Sequence, residues 1–271
     1  GEFAQLRRSV PDLAKLDPEK MMTFYQQVFA NAANFTFFFV GTFTVEAVTP
    51  LLEQYLGSLP SKGSPDSRKG DMRLEFPRSV VREVVAEGQE PRSQTVITFF
   101  ADTGLEELET HRLQAATEVL EIRLRDILRE QLGGTYSVGV NYSNTSPQPG
   151  YGVTSVQFGS APENVESLTA AVMKEIDRLR REGPSAEDIR AVKEAEKNDL
   201  QTAVRQNGYW LNSLQAAHLL GRDPKRILQR VERADSLTQE NVHAALRKYF
   251  PSERHTEVTL MPETKNPQRS Q

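Results

Sequence analysis

The chain has 271 residues, enough for one large or two small domains, and its 38% hydrophobic and 26% charged content is ordinary for a globular protein. A net charge of -4 argues against a basic nucleic-acid binder, and the lack of cysteine excludes a disulfide framework, a thiol nucleophile and a cysteine metal site. No apolar run reaches the ~18 residues a membrane span needs, and Gly1-Glu2-Phe3 reads as a cloning remnant, so the chain is expected to be a fragment.

In chain order, Asp17-Pro18-Glu19 opens the first helix with an N-cap aspartate and proline at the first helical position, and Met21, Phe24 or Tyr25, and Val28 follow at helical spacing. Residues 35–40 (FTFFFV) are short and aromatic and predict a strand buried on both faces. Thr44 caps a second helix bearing Val48, Leu51, Leu52 and Tyr55. Residues 57–71 (GSLPSKGSPDSRKGD) read as a linker and the best boundary in the chain. Two strands joined by a turn are expected at 80–86 and 94–100.

The longest helix is predicted over 105–132. Leu113, Ala116, Leu120, Leu124 and Ile127 form its apolar stripe, while Val119 and Ile122 lie off it, so cover on more than one side is expected. A hairpin follows, with strands at 136–142 and 151–158. Ser160-Ala161-Pro162-Glu163 reads as a capping box for a helix striped by Val165, Leu168, Val172, Ile176 and Leu179, and Ser185-Ala186-Glu187-Asp188 starts another in the same way. Helices at 209–220, 225–231 and 239–250, a strand at 256–261 and a disordered tail at 263–271 complete the reading. Residues 16–42 and 237–263 align without a gap at an offset of 221 positions, each a capped helix ending in phenylalanine and then a strand. That echo suggests a duplicated unit.

The four histidines offer no metal motif. Glu240 and His243 are a possible i, i+3 ligand pair without a third ligand nearby, and neither HExxH nor HxxEH occurs. No GxSxG elbow or phosphate loop is present, and Lys193-Glu194-Ala195-Glu196-Lys197 reads as a salt-laced helix surface. What remains is Arg129 in the last turn of the long helix and Tyr136 at the mouth of a strand, joined by a turn through Gly133-Gly134. A guanidinium fork and a phenol converging on one point suit a peptide carbonyl or its oxyanion. The plainer alternative is that Tyr136 packs with Val138, Val140 and Tyr142 while Arg129 extends the charged face of Glu121 and Arg125.

The segment Leu128-Arg129-Glu130-Gln131-Leu132-Gly133-Gly134-Thr135-Tyr136-Ser137-Val138 resembles the Arg/Tyr segment of the pitrilysin/insulinase family of zinc metallopeptidases, with the family's seven-residue separation. Residues 34–41 (NFTFFFVG), the helix end Tyr55-Leu56-Gly57-Ser58-Leu59-Pro60 and the 183–189 stretch fit that family's C-terminal, zinc-free domain. The resemblance implies an α+β fold, a mainly antiparallel sheet with helices packed on one face in a metallopeptidase-like α/β domain. Residues 1–60 would then be the helix-strand-helix tail of a preceding homologous unit, 61–71 a linker and 72–262 the peptidase-like domain.

By the same resemblance, Arg129 and Tyr136 hold the scissile carbonyl of an extended peptide. Zinc, bound through HxxEH and a distant glutamate, would come from a complementary catalytic half in the same polypeptide or a partner subunit. This chain lacks HxxEH, so it is expected to bind no zinc and to be inactive alone. The alternative is a non-catalytic structural or partner subunit of the same fold, and no nucleic acid is implied.

Overall fold

The computed structural model describes residues 15–66, 76–104, 106–132, 138–144 and 151–263. In chain order the helices are α1 (Pro18–Phe29), α2 (Val45–Tyr55), α3 (Glu107–Leu132), α4 (Val165–Glu182), α5 (Ala186–Ala203), α6 (Asn207–Leu219), α7 (Arg230–Asp235) and α8 (Gln239–Tyr249). The strands are β1 (Val81–Ala86), β2 (Ser93–Asp102), β3 (Val138–Asn144), β4 (Tyr151–Ser160) and β5 (Thr256–Met261). They divide between two compact units, Gly1–Glu75 with Val204–Leu219, and Phe76–Ala203 with Leu220–Gln271. None of the described helices is long and apolar enough to cross a membrane.

In the first unit the caps form as the sequence requires. Asp17 accepts from the amides of Glu19 and Lys20, and Thr44 from that of Ala47. Asn31 is buried and ties the loops together, with its amide nitrogen on the Ser64 carbonyl and its oxygen accepting from Ala33 and Lys62. Residues 35–40 are a correction to the sequence reading. They are not a strand, and Phe37 and Phe39 are exposed while Phe35 is half-buried. A strand exists only by pairing, and no described strand lies beside this one. Thr36 and Phe38 instead meet His218 of α6, by a 3.0 Å hydrogen bond and an edge-on ring contact at 5.5 Å.

The second unit is a five-stranded sheet in the order β1-β5-β2-β4-β3, antiparallel throughout except for the parallel β1–β5 pair. Alternation gives it one apolar face: Thr95, Ile97, Phe99 and Ala101 of β2 and Val156 and Phe158 of β4 point to one side and are buried. Helices α3, α4 and α8 cover that face, and α5 packs on α3 from outside. The α+β class with helices on one face is therefore the observed fold. Leu113, Leu120 and Leu124 of α3 meet Leu168, Ile176 and Leu179 of α4 and Leu246 of α8 in one core. Val119 is buried and Ile122 half-buried, so α3 is covered on more than one side, as its off-stripe residues require.

Two local expectations fail. The strands at 81–86 and 93–102 do not pair, because β5 lies between them. Ser160 caps no helix. It ends β4, and its hydroxyl meets that of Ser93 at 3.0 Å, while a 3-10 turn at Pro162–Asn164 leads into α4. The Ser185 signal does work: its hydroxyl accepts from the Asp188 amide, and Asp188 accepts from the Ser185 amide and from Arg123 at 2.9 Å.

Candidate functional site

Helix α3 carries position 129 in its final turns and ends at Leu132, and the chain resumes at Val138 as β3, the edge of the sheet. The side chain of Arg129 and the whole of Tyr136 lie outside the described residues. Beyond them, Val138, Val140 and Tyr142 turn toward the core, whereas Asn141 and Ser143 are exposed.

Beside β3 lies a cavity of about 330 Å³ that sequence reasoning did not single out. His111, Gln114, Ala115 and Glu118 reach it from one face of α3, at the i, i+3, i+4 and i+7 spacing that stacks side chains on a helix. Val140, Asn141 and Tyr142 line it from β3, Val192 and Glu196 from α5, and Arg230 from α7. His111 Nε2 donates to one Glu196 oxygen at 2.8 Å, and Arg230 Nε donates to the other at 3.2 Å. Burial alone would raise the Glu196 pKa, but the hydrogen bonds from His111 and Arg230 prevail and hold it below the ordinary value. Glu118 has no such partner among the described residues. Burial, reinforced by the charge of Glu196, pushes it up to about 7. His111 Nδ1 is buried and meets no hydrogen-bond partner among the described residues.

Glu196 corrects the reading of residues 193–197 as a charged surface. Its side chain is only 11% exposed, and the flanking lysines reach away to Asp235. The signal was present in the spacing, since Ile189, Val192 and position 196 continue one inward stripe. Glu240 and His243 do not form a ligand pair, because His243 Nε2 donates to the Arg180 carbonyl at 2.8 Å and the ring packs on Gly183. Among the described residues, no group of three or more His, Asp or Glu side chains could hold a metal ion. A second cavity, about 510 Å³, lies at the end of β2 by Asp102, Glu106 and Arg112, where Glu109 is already engaged by Lys248 and Tyr249.

The family described as Peptidase M16 inactive domain matches residues 15–196. A relative from Arabidopsis thaliana named zinc protease PQQL-like is 28% identical over 281 residues, covering 94% of this chain and 29% of that protein. A probable zinc protease PqqL from Haemophilus influenzae is 25% identical over 171 residues, covering 62% of this chain and 18% of that protein. The chain thus spans less than a third of the length of these relatives. Among solved structures, the periplasmic protease PqqL from Escherichia coli superposes with a TM-score of 0.66 at 22% identity, over 82% of this chain and 25% of that one. The first half of that protease gives a TM-score of 0.63 at 14% identity, over 81% of this chain and 49% of that one. With more than half of its length matched, the chain belongs to the Peptidase M16 inactive-domain family.

Proposed function

We propose that this chain is the zinc-free, substrate-binding part of a pitrilysin-like zinc metalloendopeptidase that hydrolyses extended peptides. In this reading Arg129 and Tyr136 donate hydrogen bonds to the scissile carbonyl and to the oxyanion it becomes. The observation that carries the reading is the family match over 15–196 in a sequence without HxxEH. A peptidase-family chain without the zinc motif is expected to work against a half that has it, in the same polypeptide or a partner subunit. Zinc bound there supplies Lewis-acid polarisation and an activated water. The place of β3 at the edge of the sheet among the described strands supports the peptide assignment, because strand addition holds a backbone without demanding a sequence.

Residues 1–60 are proposed to be the tail of a preceding homologous unit, with 61–71 a linker and 72–262 the peptidase-like domain. Supporting this, α1 and α8 begin 221 positions apart behind the caps Asp17 and Thr238, and residues 35–40 correspond at the same offset to β5.

The test is kinetic. In the complete protease, Arg129→Ala and Tyr136→Phe should each lower kcat/KM by an amount equivalent to about 2.7–4 kcal/mol. Unchanged turnover in both variants removes the proposed role. Mixing this chain with an HxxEH-bearing half should restore cleavage, whereas stable association without cleavage supports a structural subunit instead.

A further inference from the structure

We infer that the cavity beside β3 receives one basic side chain of the peptide, so that strand addition there selects extended peptides with a lysine or arginine at a fixed position. This rests on the peptide-binding role proposed above for β3. Residues paired across neighbouring strands point their side chains to the same face of a sheet, with Cβ atoms about 5 Å apart. Val140 and Tyr142 sit opposite Val156 and Thr154, turn to the helix-covered face and both line the cavity. A side chain of an added strand that lies opposite either residue therefore points to the cavity side of the sheet, and the next one along points away. At about 330 Å³ the cavity has room for the four-carbon stem of a lysine or for a guanidinium.

Charge selects the occupant. The carboxylates of Glu118, Glu121 and Glu196 line the cavity against the single guanidinium of Arg230. Glu196 is taken up by His111 and Arg230, and Glu121 by Arg125 on the same helix. Glu118 has no hydrogen-bonding partner among the described residues and retains solvent exposure, as do Gln114 and Asn141, so a cation can approach it from outside. Glu121 along α3 and Glu196 and Asp199 from α5 repel it, and His111 offsets them. Arg230 of α7 is bound to Glu196, and β3 presents the uncharged Asn141 and Tyr142. Burial and this repulsion hold the Glu118 proton up to about 7. An ammonium seated beside Glu118 supplies the positive charge this corner lacks and favours its ionised form, whereas an acidic side chain meets repulsion there.

The test compares short capped peptides of alternating threonine and valine that differ only at one central position, lysine or norleucine, the latter an unbranched stem without the ammonium. Binding to the full chain is followed by the fluorescence anisotropy of a dye at the peptide terminus. The lysine peptide should bind on the order of tenfold more tightly than the norleucine peptide at about pH 8, and lose most of that advantage at about pH 6, where Glu118 is protonated. Glu118→Gln should remove the advantage at both pH values, and Glu118→Lys should transfer it to a peptide with glutamate at the same position. Equal affinity of the lysine and norleucine peptides for the parent chain, or an advantage that survives Glu118→Gln, overturns the inference and leaves peptide binding at β3 standing. If neither peptide binds, the peptide-binding role of β3 falls and the inference falls with it.

Discussion

Glu118 shows how one carboxylate differs from its neighbours in the same cavity. Glu196 is ionised between a donor imidazole and a guanidinium, whereas Glu118 faces Glu196, Glu121 and Asp199 with only His111 to offset them. Burial and that repulsion push Glu118 from the ordinary 4.5 to about 7, so the folded chain holds its proton longer than the unfolded chain does. For a carboxylate raised in this way, ionisation lowers stability. The loss begins above the unfolded value and is complete once the pH passes about 7. Glu118→Gln should therefore leave the urea midpoint unchanged in acid and raise stability by about 1 kcal/mol near pH 8, a figure reduced for the partial exposure of the side chain. An equal effect at both pH values would show that Glu118 acts through packing. Arg129 and Tyr136 could be singled out as candidates because both lie in one segment. The His111–Glu196 pair spans 85 positions, and no local pattern announces a contact between helices α3 and α5.

Helix boundaries are set locally, which is why the caps at Asp17, Thr44 and Ser185 were readable, while strand partners were not. The parallel partner of β1 is β5, with Arg82 opposite Glu257 and joined to it by a 2.7 Å ion pair across 175 positions. Nothing near residue 82 encodes that choice, and two adjacent strand-like runs joined by a turn invite the hairpin that does not form. Residues 35–40 fail for a related reason, since an apolar pattern gives strand propensity and only a neighbour turns it into sheet. At the end of α4, Gly183 combines φ of +82° with the His243 ring 3.0 Å from where a Cβ would stand. Gly183→Ala should cost about 1–2 kcal/mol of stability by denaturant unfolding, from the left-handed backbone and the displaced ring together. A neutral result would mean that α8 yields easily at this contact.

For the molecule as a whole, the two units differ in how they treat apolar surface. The second has one buried core, with Val84 and Leu228 among the apolar side chains left outside it, but in the first Met21, Phe24, Tyr25, Phe29, Phe37, Phe39 and Phe43 are all exposed, Phe24 by 68%. Apolar surface on this scale marks an interaction site. The chain alone should therefore bind the dye ANS strongly, and a longer polypeptide carrying the preceding homologous unit should lose most of that fluorescence. Equal fluorescence per chain would count against assigning residues 1–60 to such a unit. The position of β5 also has a kinetic consequence. Because residues 256–261 fill the slot between β1 and β2, a ribosome that has released everything up to residue 250 still presents β1 without a ladder and β2 with a bare flank. Such a nascent chain must wait for β5, and that interval is when holdase chaperones or off-pathway strand exchange have their opportunity.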